Sequence, residues 1–292
     1  MTASTTALPS VAASRFGTLA MPLGRALWSG LILAICIFVL APIVVVLVAS
    51  VSTTPYLTFP PAGFTLRWFA DLEELRDYFD AFRFSLLVAA LATALSLAIG
   101  LWVALLMARL EFPGKAALTS LFMSPIILPE LALALGLLQY LSQMGVVRGM
   151  VPTLLAHSVV CAPYVIRTVQ AAALRLDRNL EDSALSLGAK PMRVLWDVTL
   201  PLLKPGLMSG GIMAFVISFD NVTISLFLAA PGATTLPALL FNQASETGLN
   251  TTLAAVCAML TVFMLLLMLV VEKLVGLERV ATSAVAGGKA RR

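Results

Sequence analysis

The sequence predicts an all-α integral membrane protein with six transmembrane helices and both termini on the cytoplasmic side. Of the 292 residues, 60% are hydrophobic and 12% are charged, whereas about a quarter of the residues of a soluble domain are charged. The apolar residues form six runs, each long enough to cross the roughly 30 Å hydrocarbon core of a bilayer as a helix. No polar segment has the size of a separate globular domain.

The chain divides into a transmembrane domain, residues 25–280, between two tails. Residues 1–24 are rich in Ser, Thr and Ala and predict a disordered cytoplasmic tail. A cleavable signal peptide is the alternative, but the apolar run that follows is too long for one. Residues 281–292 predict a basic cytoplasmic tail. The predicted spans cover residues 26–51, 82–108, 116–141, 151–174, 206–229 and 251–274.

Two features of the loops bear on topology. The acidic segment 53–81 predicts an outward-facing loop with one or two short amphipathic helices between Phe64 and Phe82. With both termini inside, only four of the 19 Lys and Arg residues lie in outward loops. The opposite orientation would invert that bias, so the excess of positive charge on cytoplasmic loops decides the orientation.

A long polar loop, 175–206, connects the fourth and fifth spans. It is predicted to be helical up to Gly188, which is typical of a helix C-cap. A second amphipathic helix is predicted to follow and to end at Pro201. Connections are usually shorter, and physical reasoning alone leaves two interpretations open. The loop is either a solvated pair of interfacial helices or an element that docks on a soluble partner.

Two acidic residues fall at bilayer depth, where a charge costs on the order of 2.5–3.5 kcal/mol and tends to be functional. Glu130 and Asp220 each lie roughly 21 Å above the cytoplasmic start of their span. One or both would line a pathway for a positively charged solute, and Asp220 and Asn221 could face the same cavity only if the helix is distorted. Alternatively, Glu130 caps a broken half-helix after Pro129, or Asp220 bonds between helices or pairs with Arg167.

The polar loop carries seven residues at a recognisable spacing. They are Asp182-Ser183-Ala184, Gly188, Val198 and Leu200-Pro201. This pattern resembles the EAA loop of bacterial ABC importer permeases, E-A-A, then G, then I, then L-P. The resemblance implies the type I ABC importer permease fold and a loop that contacts a partner ATPase. The residues it assigns to this coupling are Asp182, Ser183, Ala184, Gly188, Ala189, Lys190, Val198, Leu200 and Pro201.

A second resemblance concerns the fifth span and the loop after it. The run from Ser218 to Phe241, SFDNVTISLFLAAPGATTLPALLF, is similar to the corresponding part of polyamine importer permeases, as are Phe64–Trp68 and Pro129-Glu130. It implies a putrescine- or spermidine-like cation as solute. Branches for other small solutes, such as an amino-acid derivative, an opine or ferric ion, share parts of this pattern. The residues assigned to the pathway are Asp220, Asn221, Glu130, Ser218 and Tyr164.

The resemblance also implies the partners. They are an ABC ATPase dimer that would bind ATP and Mg, a second permease chain in a heterodimer, a periplasmic solute-binding protein and the lipid of the bacterial inner membrane. No cofactor is expected in this chain and no nucleic acid as partner. An ion-coupled carrier with Glu130 and Asp220 as relay acids is the alternative, although we see no internal repeat of the kind carriers often have. A membrane scaffold without transport activity, or an enzyme, is a third possibility. With His157 as the single His, the sequence shows no catalytic arrangement, so an enzyme active site is not expected.

Overall fold

The computed structural model describes residues 17–146 and 148–275, with side chains for all of these except 17–27, 72–74 and 274–275. This part of the chain is almost entirely helical, and it contains only isolated β-bridges, such as Ser52 with Phe64. The helices are α1 Gly17–Ala49, α2 Leu72–Arg109, α3 Lys115–Ile127, α4 Glu130–Gln143, α5 Met150–Arg175, α6 Arg178–Ser186, α7 Pro191–Val194, α8 Leu200–Asp220, α9 Thr223–Leu228, α10 Leu236–Glu246 and α11 Thr251–Val275.

Five helices of the described chain are long and apolar enough to cross a membrane, and there are six spans if a bent pair of helices counts as one. The pair is α3 and α4, which meet at an angle of 109°. The break falls at Leu128 and Pro129, because the ring of Pro129 excludes the preceding residue from the helical conformation. The predicted all-α membrane fold is therefore confirmed with five to six spans, and the side on which the termini lie stays a prediction.

The ends of the first two spans differ from the sequence prediction. Helix α1 begins at Gly17, inside the predicted tail, whose residues 1–16 lie outside the described residues, as does the C-terminal tail 281–292. In the loop before α2, residues 53–71, the structure shows only a 3₁₀ turn, Arg67–Phe69. The rest of the predicted loop helix is the first part of α2, because Leu75 and Tyr78 recur at helical spacing and pack against α10 and α11 without a helix breaker between them.

The predicted helix end at Pro201 is wrong, because one helix runs from Pro191 to Asp220. A proline removes a donor and its ring crowds the carbonyl four residues earlier, here that of Asp197. Asp197 lies in a π-helical turn, Leu195–Thr199, that joins α7 to α8. In that turn the Leu200 N–H bonds to the carbonyl of Leu195, five residues back, so the wider turn accommodates the proline.

The centre of the molecule is the packing of α2, α5 and α8. Its buried residues include Met107 of α2, Ile166 of α5 and Leu203 of α8. Helices α5 and α8 approach closely because α8 has glycine at the crossing. A methyl group at Gly210 would overlap the Thr168 hydroxyl and lie 3.2 Å from the Cα of Val165. Around this centre, α1 packs on α11, and α4 packs on α9.

Candidate functional site

A cavity of about 560 Å³ lies where the third and fifth spans are both broken. Glu130 is the first residue of α4, and Asp220 is the last residue of α8. Four of the five residues predicted to line a pathway, Asp220, Asn221, Glu130 and Tyr164, line this cavity. Apolar side chains, such as Ile126, Val160 and Ile217, form much of the remaining wall. The arrangement presents two carboxylates, an amide and a phenol to a solute in an otherwise apolar surrounding.

The break in the fifth span brings Asp220 and Asn221 to the same cavity. Two consecutive residues of a regular helix diverge by about 100°. Helix α8 ends at Asp220, and Asn221 has an extended conformation with φ −72° and ψ 112°. Because Asn221 is not part of the helix, its side chain is not held about 100° away from that of Asp220. From the sequence, both residues could face one cavity only if the helix is distorted between them. The structure shows this distortion.

Asn221 connects the two breaks. Its side-chain nitrogen donates to the carboxylate of Glu130, and its side-chain oxygen accepts the backbone N–H of Ile224 at 2.8 Å. The second bond satisfies a free N–H at the start of α9, as an N-terminal cap does. Glu130 occupies the first turn of α4, where the helix dipole favours a negative charge. Glu130 can therefore stabilise the start of α4, as considered from the sequence, and also line the cavity.

The ion pair considered between Asp220 and Arg167 is not formed within the described part of the chain. The ion pairs found there join Asp80 to Arg83, Glu111 to Lys115, Glu181 to Arg109 and Asp197 to Arg193. Arg167 therefore does not neutralise the carboxylate of Asp220, which lines the cavity.

Ser218, the fifth predicted pathway residue, does not line the cavity. It is buried in α8, and its hydroxyl lies 2.8 Å from Nδ1 of His157. Nε2 of the same ring lies 3.1 Å from the hydroxyl of Ser225 in α9. Sequence reasoning did not assign His157 or Ser225 a role. The available signal was a single histidine inside an apolar span, which needs polar partners there.

The predicted coupling residues separate into two groups. Helix α6 ends at Ser186, and the predicted capping glycine, Gly188, follows two residues later with a φ of +87°. The Ala189 N–H bonds back to the carbonyl of Ala184 at 3.1 Å, and this closes the helix end. Among the predicted coupling residues around this turn, Asp182, Ser183 and Lys190 are exposed, and Ala184 and Ala189 are half-buried.

The second group of predicted coupling residues lies at the start of the long helix. Val198 is half-buried in the π-helical turn, and Leu200 and Pro201 follow it. Between the two groups, Leu187 is 90% exposed and Met192 is 62% exposed. Both are exposed apolar side chains, and in the chain they flank Lys190 at the end of the turn. We call Asp182, Leu187, Lys190 and Met192 the coupling surface.

Glu181, the neighbour of Asp182, attaches α6 to the transmembrane core. Its buried carboxylate accepts hydrogen bonds from the guanidinium of Arg109 and from the hydroxyl of Thr199. Arg178 also donates to the carbonyl of Arg109, at 3.3 Å. Helix α6 is therefore held to the end of α2 and to the π-helical turn before α8. The sequence prediction missed Glu181, since two adjacent acids in an amphipathic helix do not show which one is buried.

Residues 96–277 match the family of binding-protein-dependent transport system inner membrane components. The chain is 32% identical over 233 residues to the putrescine transport system permease protein PotI of Escherichia coli (strain K12), covering 76% of this chain and 82% of that protein. It is 26% identical over 247 residues to the spermidine/putrescine transport system permease protein PotC of the same strain, covering 85% and 93%. It is 30% identical over 257 residues to the putative 2-aminoethylphosphonate transport system permease protein PhnV of Salmonella typhimurium, covering 87% and 96%.

Two solved structures share the fold. A chain of a bacterial ABC transporter involved in the import of the acidic polysaccharide alginate aligns with a TM-score of 0.70 at 14% identity, covering 90% of this chain and 99% of that chain. A chain of the MetNI methionine ABC transporter, in an inward-facing conformation, aligns with a TM-score of 0.55 at 20% identity, covering 69% and 94%. At these identities the likeness concerns the fold.

Proposed function

This chain belongs to the family of inner membrane components of binding-protein-dependent transport systems, and we propose that it forms half of the pathway for a polyamine cation. Membership makes it a transporter subunit of the inner membrane rather than an enzyme or a stand-alone carrier. The observation that carries the proposed solute is the cavity at the two broken spans. It offers the carboxylates of Asp220 and Glu130 to a cation.

The chemistry of the cavity suits an alkyl diamine. Each ammonium group can donate to a carboxylate or an amide oxygen, and the apolar wall suits the methylene chain between the ammonium groups. The relatives named for putrescine and spermidine support this solute class. PhnV is named for a solute with a phosphonate group, and two carboxylates would repel that group. A phosphonate solute therefore fits this cavity less well than a polyamine does.

A second cavity of about 670 Å³ supports a cationic route. It lies on the other side of the break in the fifth span, where Ser225 and Leu226 form part of its wall. The charged residues lining it are Asp77, Asp80, Glu246 and Arg148, three acids and one base. A cavity lined by a net negative charge raises the local concentration of a cation.

The transport cycle requires partners that supply energy and solute. We propose that an ATPase docks on the coupling surface, as the likeness to the EAA loop implies, and that a second permease chain completes the pathway. Closure of the ATPase dimer would push on α6, and the contacts of Glu181 would transmit that motion to α2 and α8. Packed helices respond to such a push by shifting between discrete arrangements rather than by bending. A binding protein would deliver the solute on the side of the acidic cavity.

The test is uptake by the reconstituted system. The chain, its partner permease, ATPase and binding protein are placed in proteoliposomes, and uptake of radiolabelled putrescine and spermidine is measured with and without internal ATP. We expect uptake that depends on ATP and that unlabelled putrescine inhibits, while 2-aminoethylphosphonate does not. ATP-dependent uptake of 2-aminoethylphosphonate, with none of either polyamine, would refute the proposed solute.

A further inference from the structure

His157 contacts both sides of the break in the fifth span. It lies on α5 and is 1% exposed. Its two ring nitrogens contact one hydroxyl on each side of the break, Ser218 on α8 at 2.8 Å and Ser225 on α9 at 3.1 Å. One side chain of a neighbouring span thus connects the two halves of the broken helix.

A neutral imidazole ring can make both of these bonds at once. One nitrogen carries a proton and donates, and the other accepts. A serine hydroxyl both donates and accepts, so either tautomer of His157 is satisfied by Ser218 and Ser225. No charge has to be buried in the membrane for this arrangement. The contact is therefore suited to holding structure in place.

The segment between the two serines separates the two cavities. Asp220, Asn221 and Thr223 line the cavity of about 560 Å³, whereas Ser225 and Leu226 line the acidic cavity of about 670 Å³. The break is thus part of the wall between them. A change in the relative position of α8 and α9 would move Asp220 and Asn221 relative to both cavities.

We propose that His157 is a positioning residue that fixes α8 and α9 relative to each other, so that the break carrying Asp220 and Asn221 faces the cavity. In this role it does not contact the solute. Its importance for transport rests on the proposed function, whereas the position of the break can be measured without any solute.

The experiment measures the accessibility of the break in the assembled transporter. Thr223→Cys, which places a thiol on the cavity wall, is made in a chain whose native cysteines are replaced, Cys36→Ser, Cys161→Ser and Cys257→Ser. The rate of its reaction with a small cationic methanethiosulfonate is compared between this parent, His157→Ala and His157→Gln. Gln retains one donor and one acceptor and serves as the conservative variant.

We expect His157→Ala to change the labelling rate about fivefold, the order of population shift that loss of a buried hydrogen bond produces, and His157→Gln to return the rate toward that of the parent. Ser158→Ala is the matched control, because it removes a buried hydroxyl from the same helix. Within the described residues this hydroxyl donates to the carbonyl of Leu154 and contacts neither side of the break. If His157→Ala does not assemble, Ser225→Ala carries the same expectation. An unchanged rate in the assembled variant, or an equal change in Ser158→Ala, would overturn the proposal.

Transport by the same complexes separates this inference from the proposed function. With putrescine as solute, we expect His157→Ala to raise the apparent KM several-fold and His157→Gln to restore it. A parent complex that imports neither putrescine nor spermidine would refute the proposed function. The labelling rates would still decide whether His157 positions the break.

Discussion

The side-chain amide of Asn221 donates a hydrogen bond to the carboxylate of Glu130, and this contact joins the breaks of two different spans. Each break exposes backbone groups that a membrane interior cannot hydrate. The Asn221 oxygen accepts the N–H of Ile224 at 2.8 Å, and Glu130 lies in the first turn of α4. The two breaks therefore stabilise each other, and both can be maintained at membrane depth beside a cavity.

The contact between Asn221 and Glu130 predicts a measurable coupling energy. We expect Asn221→Ala and Glu130→Ala each to lower the stability of the purified transporter. The double variant should lose less than the sum, by about 1–3 kcal/mol, because a hydrogen bond to a charged group is lost only once. Thermal unfolding of the four proteins gives the cycle. Glu246→Gln, an exposed acid of α10, is the control and should leave stability within about 0.5 kcal/mol. Strictly additive losses would contradict the contact.

The sequence predicts the fold well where a long apolar run determines the structure. The approximate positions of the spans follow from hydropathy, and the turn at Gly188 that closes α6 follows from the conformational freedom of glycine. Predictions from the sequence are wrong where tertiary structure overrides a local preference. Pro201 does not end its helix, because the preceding π-helical turn accommodates the ring. Asp220 and Ser218 are two residues apart, yet one lines the cavity and the other is buried against His157, a difference that hydropathy does not encode.

Asp220 is expected to contribute directly to cation binding. Its carboxylate faces the cavity, whereas that of Glu130 already accepts a hydrogen bond from Asn221. We expect Asp220→Asn to raise the apparent KM for putrescine at least about tenfold, equivalent to about 1.4 kcal/mol. Glu130→Gln should have a smaller effect on KM, and Glu111→Gln, in the loop between α2 and α3, should have none. Uptake by proteoliposomes over a range of putrescine concentrations measures these values. An unchanged KM in Asp220→Asn would remove this residue from the solute path.

Glu181 and Asp182 are adjacent and should have separable roles. Glu181 is buried with Arg109 and Thr199, so Arg109→Met would leave a carboxylate without its ionic partner. Breaking a buried pair costs about 3–5 kcal/mol, and since Arg109 is 33% exposed we expect a loss of about 2 kcal/mol. Asp182 is exposed, so Asp182→Asn should leave the unfolding temperature unchanged.

A second measurement, the stimulation of ATP hydrolysis, tests whether Asp182 acts in coupling. If Asp182 contacts the ATPase, Asp182→Asn should reduce the stimulation of ATP hydrolysis by the loaded binding protein, in a complex of unaltered stability. Thermal unfolding and ATPase assays on the same preparations separate the two effects. A destabilised Asp182→Asn protein with normal stimulation would assign the residue to the fold rather than to coupling.

Gly210 is required for the close packing of α5 and α8. A Cβ at this position would overlap the hydroxyl of Thr168 and lie 3.2 Å from the backbone Cα of Val165, which cannot move aside as a side-chain end can. We expect Gly210→Ala to destabilise the transporter by about 1–3 kcal/mol, as overpacking of a close-packed core does. Gly136→Ala in α4 is the matched control. Nothing lies within 4 Å of its added Cβ, and alanine is the better helix former, so stability should stay the same or rise. Thermal unfolding of both variants decides, and equal stability of the two would show that α5 and α8 are less closely packed at Gly210 than described.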